Sequence, residues 1–259
     1  MSKRENIRLY LTAAIAILIA GVFFSYARGA WLALAAGMLS YWLIKKRLLV
    51  IAYVTFIIIT VAGVFWLKNN DRYLQYAHDY QTTIFHTNFN EHFIATYTLK
   101  DVSTAERFYR WIAGVRMLKD GGLTGYGPGT FYNNYKSYTI PAYKTWVSHN
   151  PEHSTVHNYF LLVAIEQGLP GLFFWLLLAG ALLYYAQRLY HRVADIYYKI
   201  VAITSGVILT MIMILNLLSD LIETDKIGSL FFLCLALLIA TDVNTRRRSE
   251  LSPDVESIP

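Results

Sequence analysis

Apolar residues in this chain fall into six runs that carry almost no charge: 9–24, 30–44, 48–67, 159–186, 200–218 and 227–240. They are not spread in the short periodic pieces of a soluble core. Runs of roughly 15–20 residues are what a helix needs to cross a hydrocarbon core of about 30 Å. The pattern predicts an all-α polytopic membrane protein with about six transmembrane helices. Three lie in residues 1–67 and three in 159–245, with one large extracytoplasmic loop, 68–158, between them and a polar tail, 246–259, expected to be disordered. Lys3, Arg4 and Arg8 before the first run suggest a signal peptide. Ala27-Arg-Gly-Ala30 is a poor cleavage site, however, and further spans follow at once, so the run is read as a span.

Six spans put both termini on one side, and the positive-inside rule chooses which. With the N-terminus in the cytoplasm, twelve Lys and Arg lie inside, three each at the N-terminus, after the second run, in the 188–199 connection and at 246–248. Only Arg28 and Lys226 fall in the short outer turns. The orientation expected is N-in and C-in, with the loop outside; the loop's own nine Lys and Arg do not count, because long loops translocate regardless of charge.

Inside the loop the polar pattern predicts short helices. Ser103 and Glu106 have the spacing of a capping box, opening a helix that ends at Asp120-Gly121-Gly122 with a glycine C-cap. Phe108, Trp111, Ile112, Val115 and Leu118 would form its apolar face, with Arg107 and Arg110 on the flank and Arg116 elsewhere; such a helix can lie on the membrane with its arginines at the headgroups. Residues 125–129, Gly-Tyr-Gly-Pro-Gly, read as a tight turn. They are not a nucleotide fingerprint, since a helix precedes them and no Lys-Ser/Thr follows. Asn150-Pro151 predicts the start of a helix that runs through His157 into the fourth span.

Composition confirms the class: 56% of residues are hydrophobic and 15% charged, where soluble domains carry about a quarter. The net charge of +6 is accounted for by Lys and Arg at membrane edges, so no nucleic-acid partner is inferred. Cys234, the single cysteine, excludes an internal disulfide and reads as a lipid-embedded thiol. Candidate chemistry then narrows to a few groups. Arg28, at the outer end of the first hairpin, either snorkels to lipid phosphates or grips a phosphate or pyrophosphate bidentately, with Gly29 permitting close approach. His149, His153 and His157 are spaced by four, but Pro151 interrupts the helix, so a zinc site is set behind a single histidine, His157 best placed, that either acts as base at the membrane surface or simply sits at the interface. A histidine's unperturbed pKa, about 6.5, suits removal of a hydroxyl proton. Glu166 inside the fourth run needs a partner, Arg28 or a loop arginine, unless it sits at the headgroups. Asp220, Glu223 and Asp225 form either a solvated turn or a counter-charge to the arginines, and Tyr132, Tyr135, Tyr138, Tyr143 and Trp146 offer either sugar platforms or an interfacial aromatic belt.

An ordered set of segments resembles the O-antigen ligase and polymerase family of bacterial membrane glycosyltransferases. It comprises Ser25-Tyr-Ala-Arg28-Gly-Ala-Trp31, Glu106-Arg-Phe-Tyr-Arg110-Trp, Leu123-Thr-Gly-Tyr-Gly127-Pro-Gly129-Thr-Phe, His157-Asn-Tyr-Phe-Leu and Glu166-Gln-Gly-Leu-Pro-Gly171. The segment from Ser148 to Asn158 is similar to one variant of that family's histidine segment. The resemblance implies glycan transfer from a polyprenyl pyrophosphate, such as undecaprenyl pyrophosphate, to a lipid A core, a growing glycan or a protein hydroxyl at the outer face of the bacterial inner membrane. It implies an inverting, metal-independent reaction with no cofactor. Arg28 matches the arginine that engages the donor pyrophosphate and His157 the histidine that activates the acceptor. Arg110 and Glu166 match recurrent positions, and Arg107, Arg116, Gly127, Tyr132 and Trp146 complete the expected substrate-binding set. Family members have about ten to twelve spans, so the resemblance also implies further spans, from a longer gene product or a partner subunit.

Overall fold

Small residues decide which helices approach most closely. A computed structural model of the chain describes residues 3–25, 27–70, 72, 102–141, 144, 148 and 155–251. Eight α-helices occur in that part: α1 (Lys3–Phe24), α2 (Arg28–Lys45), α3 (Leu49–Lys68), α4 (Val102–Gly121), α5 (Phe131–Asn134), α6 (Tyr159–Arg192), α7 (Ile196–Leu218) and α8 (Asp225–Leu251). A Cβ on Gly37 of α2 would lie 2.9 Å from Met211 of α7, and one on Gly206 of α7 would lie 2.9 Å from Ile44 and 3.1 Å from Ala186. Glycines at these crossings let the backbones of α2, α6 and α7 close up, the usual packing device between membrane helices. Ile44, Leu183, Ala186, Leu189, Leu209, Ile212, Phe231 and Leu238 fill the core between α2, α6, α7 and α8, and Cys234 is buried among them rather than facing lipid.

Among the described residues five helices are long and apolar enough to cross a membrane: Asn6–Phe24, Leu49–Lys68, Tyr159–Arg192, Ile196–Leu218 and Asp225–Arg248. The remaining expected span, α2, is 18 residues long and carries Arg28 and Lys45 in its end turns. The fold is all-α, as the runs predict. α8 continues through Leu251, so Arg246 and Arg248 sit on a helix rather than in a tail.

One end of the bundle is basic and interlocked. Asp242 of α8 accepts from Arg192, from Arg246 (3.0 and 3.1 Å) and from the Tyr185 hydroxyl (2.6 Å). The Gln187 side chain accepts from the Leu49 amide (2.9 Å), and a His191 ring nitrogen lies 2.8 Å from the Ile44 carbonyl. At the opposite end the loop helices α4 and α5 pack against the start of α6. Tyr109, Ala113, Met117, Phe131, Tyr135, Val156, Leu162 and Ile165 form this second core.

α6 joins the two layers. Pro170 lacks an N–H and its ring excludes the usual helical bond to the Glu166 carbonyl. The helix breaks there, with Gly168 at φ +74. The freed groups are taken up by the glycine turn: Tyr126 donates to the Ile165 carbonyl, Gly127 to the Glu166 carbonyl (both 2.9 Å), and Leu169 to the Gly122 carbonyl (2.7 Å). Contact is so close that a Cβ on Gly125 would lie 2.4 Å from the Glu166 oxygen and one on Gly168 would lie 2.3 Å from the Leu123 oxygen. Residues 159–167 therefore belong to the loop layer, and the rest of α6 to the bundle.

Two local expectations are corrected. α4 has begun by Val102, so Ser103 is inside it and Glu106 does not close a capping box. Its innermost side chains are Ala105, Tyr109, Ala113 and Met117, while Phe108, Trp111, Ile112 and Leu118 are only partly buried. The fourth span does not inherit a helix through His157: α6 starts at Tyr159 with Asn158 as N-cap, its side chain accepting from the Leu161 amide (3.0 Å). Asn150, Pro151, His149 and His153 lie outside the described residues.

Candidate functional site

The site gathers at the loop end of α7. Asn216, fully buried, donates to the Ile212 carbonyl (2.9 Å) and accepts from the Ile222 amide (3.1 Å), which fixes the turn after Leu218. Helix ends leave carbonyls without intrahelical partners. Here the loop layer supplies donors: Arg107 Nε to the Leu218 oxygen and the Tyr159 amide to the Ser219 oxygen, each 3.1 Å.

On that turn Asp220 meets the segment before α6. Its Oδ2 accepts from the Thr155 hydroxyl at 2.6 Å, and its Oδ1 lies 3.8 Å from His157 Nδ1. Thr155 Oγ1 also accepts from the His157 amide (3.3 Å). His157 is held at φ +53, a left-handed backbone that costs energy for a residue with a Cβ and persists only when neighbours impose it. Burial alone would raise the Asp220 pKa. The nearby His157 ring and the hydrogen bond from Thr155 outweigh burial and hold the carboxyl below its ordinary value. Glu223, three residues on, is pushed the other way, first by burial and then by the negative charges of Asp220 and Glu166. Three carboxylates thus share one neighbourhood, with the histidine among them.

Arg28 arrives at the same end of α7. It is the first residue of α2, and a Cβ on Gly29 would lie 3.7 Å from Leu218 and 3.9 Å from Leu215. The turn before it is braced by Trp31, whose indole N–H donates to the Val22 carbonyl (2.8 Å) and whose ring stacks on Phe23. No acidic residue occupies the first turn of α2. The helix N-terminus therefore adds partial positive charge beside the guanidinium, an arrangement suited to an anion.

The other expected residues divide. Arg110 is 6% exposed; it pairs with Glu106 at 3.5 Å and donates to the Thr155 carbonyl at 3.1 Å. Glu106 in turn accepts a 2.5 Å bond from the Ser148 hydroxyl. This buried pair ties α4 to the segment that carries His157, so Arg110 is not on the headgroup side of α4. Among the described residues Glu166 does not pair with an arginine; its Oε1 accepts from the Phe131 amide at 3.3 Å. Gly127, at φ +94, serves the α6 break. Arg116 is exposed and donates to the Tyr138 carbonyl (3.3 Å). Tyr132 is half-buried, with the Lys136 ammonium 5.1 Å from its ring centroid. Tyr135 is core, stacked on Phe131, and Tyr138 shares a 2.8 Å hydroxyl bond with Tyr126, which raises its pKa. Trp146 and Tyr143 lie outside the described residues. Among the described residues no group of three His, Cys, Asp or Glu is arranged to hold a metal ion.

Asp220 as the partner of His157, with Thr155 between them, was not legible as such. The signal available was the acidic cluster at 220–225 directly after an apolar run.

No curated protein and no solved structure matches this chain. A model of the O-antigen ligase family matches residues 13–176, which contain Arg28, all of α4, the glycine turn, His157 and the broken start of α6. Membership carries a membrane setting and, in general terms, a glycosyltransferase-like activity. With more than half of its length under that match, the chain belongs to the O-antigen ligase family.

Proposed function

We propose that the chain transfers a glycan from a polyprenyl-pyrophosphate carrier to an acceptor hydroxyl at the outer face of a bacterial inner membrane, with both termini in the cytoplasm. The observation that carries this reading is His157 held between Asp220 and Thr155 at the α7 end where Arg28 begins α2. With Nδ1 turned to Asp220, Nε2 takes the acceptor proton. The acceptor oxygen attacks the anomeric carbon as that carbon's bond to the pyrophosphate breaks, and the electron pair leaves on the pyrophosphate. Attack opposite the leaving group inverts the anomeric centre. Asp220, ionised at neutral pH, balances the imidazolium that forms. Arg28, Arg107 and the α2 N-terminus hold the negative charge that develops on the leaving group, the role fixed dipoles and cations play best in a site shielded from water. Arg110 and Glu106 position the histidine segment, and Tyr132 and Arg116 flank the glycan. The acceptor is a lipid A core, a glycan or a protein hydroxyl.

The test uses the full chain in vesicles with a lipid-linked glycan donor, following formation of the new glycosidic bond. His157→Ala should lower the rate about 10²–10⁴-fold, and Arg28→Ala should also lower it strongly. Unchanged transfer in both variants, or carrier binding without a new glycosidic bond in the wild type, sinks the reading.

A further inference from the structure

A groove of about 620 Å³ lies between α2 and α7, away from the His157 end. Its apolar walls are Leu34, Met38 and Tyr41 of α2 and Ile200, Val207 and Met211 of α7, with Met211 packed over Gly37 at the floor. Its volume falls within the range of ligand pockets, about 300–1,000 Å³. From Leu34 to Lys45 a helix rises roughly 16 Å, about half of a 30 Å hydrocarbon core. The groove is thus one leaflet deep, and it opens at the basic end of the bundle.

Two cations mark that opening from opposite walls, Lys45 of α2 and Lys199 of α7, with Lys45 Nζ 4.6 Å from the Tyr41 ring centroid. No acidic residue lines the groove among the described residues. The nearest carboxylate in sequence, Asp195, one turn before Lys199, is engaged by Arg248 at 3.4 Å and by the Tyr197 amide at 2.8 Å. An apolar slot of one leaflet's depth ending in two cations is complementary to one kind of molecule. We propose that this groove binds an anionic phospholipid, one acyl chain lying along Met38 and Ile200 and the phosphate seated between Lys45 and Lys199. Basic pockets between membrane helices attract anionic headgroups on the same electrostatic grounds.

The experiment is native mass spectrometry of the full chain in mild detergent, titrated separately with phosphatidylglycerol and with phosphatidylcholine of identical chains. Phosphatidylglycerol should be retained about tenfold more strongly. Lys45→Gln with Lys199→Gln should erase that difference, whereas Lys46→Gln with Arg47→Gln, at the same end but outside the groove, should keep it. Ile200→Trp, which fills the slot, should weaken retention of both lipids. Equal retention of the two lipids by the wild type, or a preference that survives in the Lys45/Lys199 variant, overturns the proposal. Efficient disulfide cross-linking between Met38→Cys copies in bilayers also overturns it, because a second copy would then occupy the groove.

Discussion

The two ends of the bundle use the same residue types to opposite effect. At the basic end Asp242 has both oxygens filled by two arginines and a tyrosine, and its side chain is 9% exposed. At the loop end Asp220 has one oxygen bonded to Thr155 and the other turned to a histidine that is 34% exposed. A saturated carboxylate can only hold helices together. A carboxylate that shares its charge with an accessible imidazole can orient that ring and balance its proton. The difference separates clamp from chemistry where composition alone does not, since arginines and aspartates occur at both ends.

The largest expected effect breaks the loop end as a whole. Gly168→Ala places a Cβ 2.3 Å from the Leu123 oxygen at a φ of +74, so it should cost about 3 kcal/mol or more. Protease cleavage within the loop, measured in detergent, should rise sharply while the basic end stays protected. Next, Asp220→Asn should lower transfer about 100-fold, with a loss of thermal midpoint at pH 7 smaller than that of Asp242→Asn. Asp242→Asn should do the reverse: about 2 kcal/mol of stability is lost as a buried acceptor set is broken, and transfer per folded molecule is retained. If Asp242→Asn abolishes transfer at full stability, the division between the ends is wrong.

The smallest effect is in pH dependence. Asp220's carboxyl is held below its ordinary value, so its contribution is complete above about pH 4 and is lost as pH falls through the folded value. Glu223 is raised, so its ionised form costs stability at neutral pH, and that cost is relieved as pH falls towards its ordinary value. The thermal midpoint should rise slightly from pH 7 towards pH 5 and decline below about pH 4. Glu223→Gln should remove the rise, and Asp220→Asn should remove part of the decline.

The spans were legible because apolar length is a one-dimensional signal. The six runs recur as α1, α2, α3, α6, α7 and α8, although α2 is less apolar and is held by packing against α7. The ordered motifs also singled out Arg28 and His157, which the fold brings to the same end of α7. What failed depended on contacts distant in sequence. The partner of Glu166 is the Phe131 backbone, which arrives only because Pro170 breaks α6 and the glycine turn fills the break. Arg110 looked like a surface arginine because its bond to the Thr155 carbonyl and the burial of its pair with Glu106 are set by packing against a distant segment. Asn150-Pro151 resembled a helix start, yet Asn158 caps α6, and the left-handed His157 directly before it shows why no helix passes through.

The central claim is that Asp220 and His157 act as one unit, and a double-mutant cycle on the rate of glycan transfer tests it most directly. If Asp220 works only through the histidine, His157→Ala with Asp220→Asn should be no slower than His157→Ala alone. Multiplying, independent losses would contradict the account.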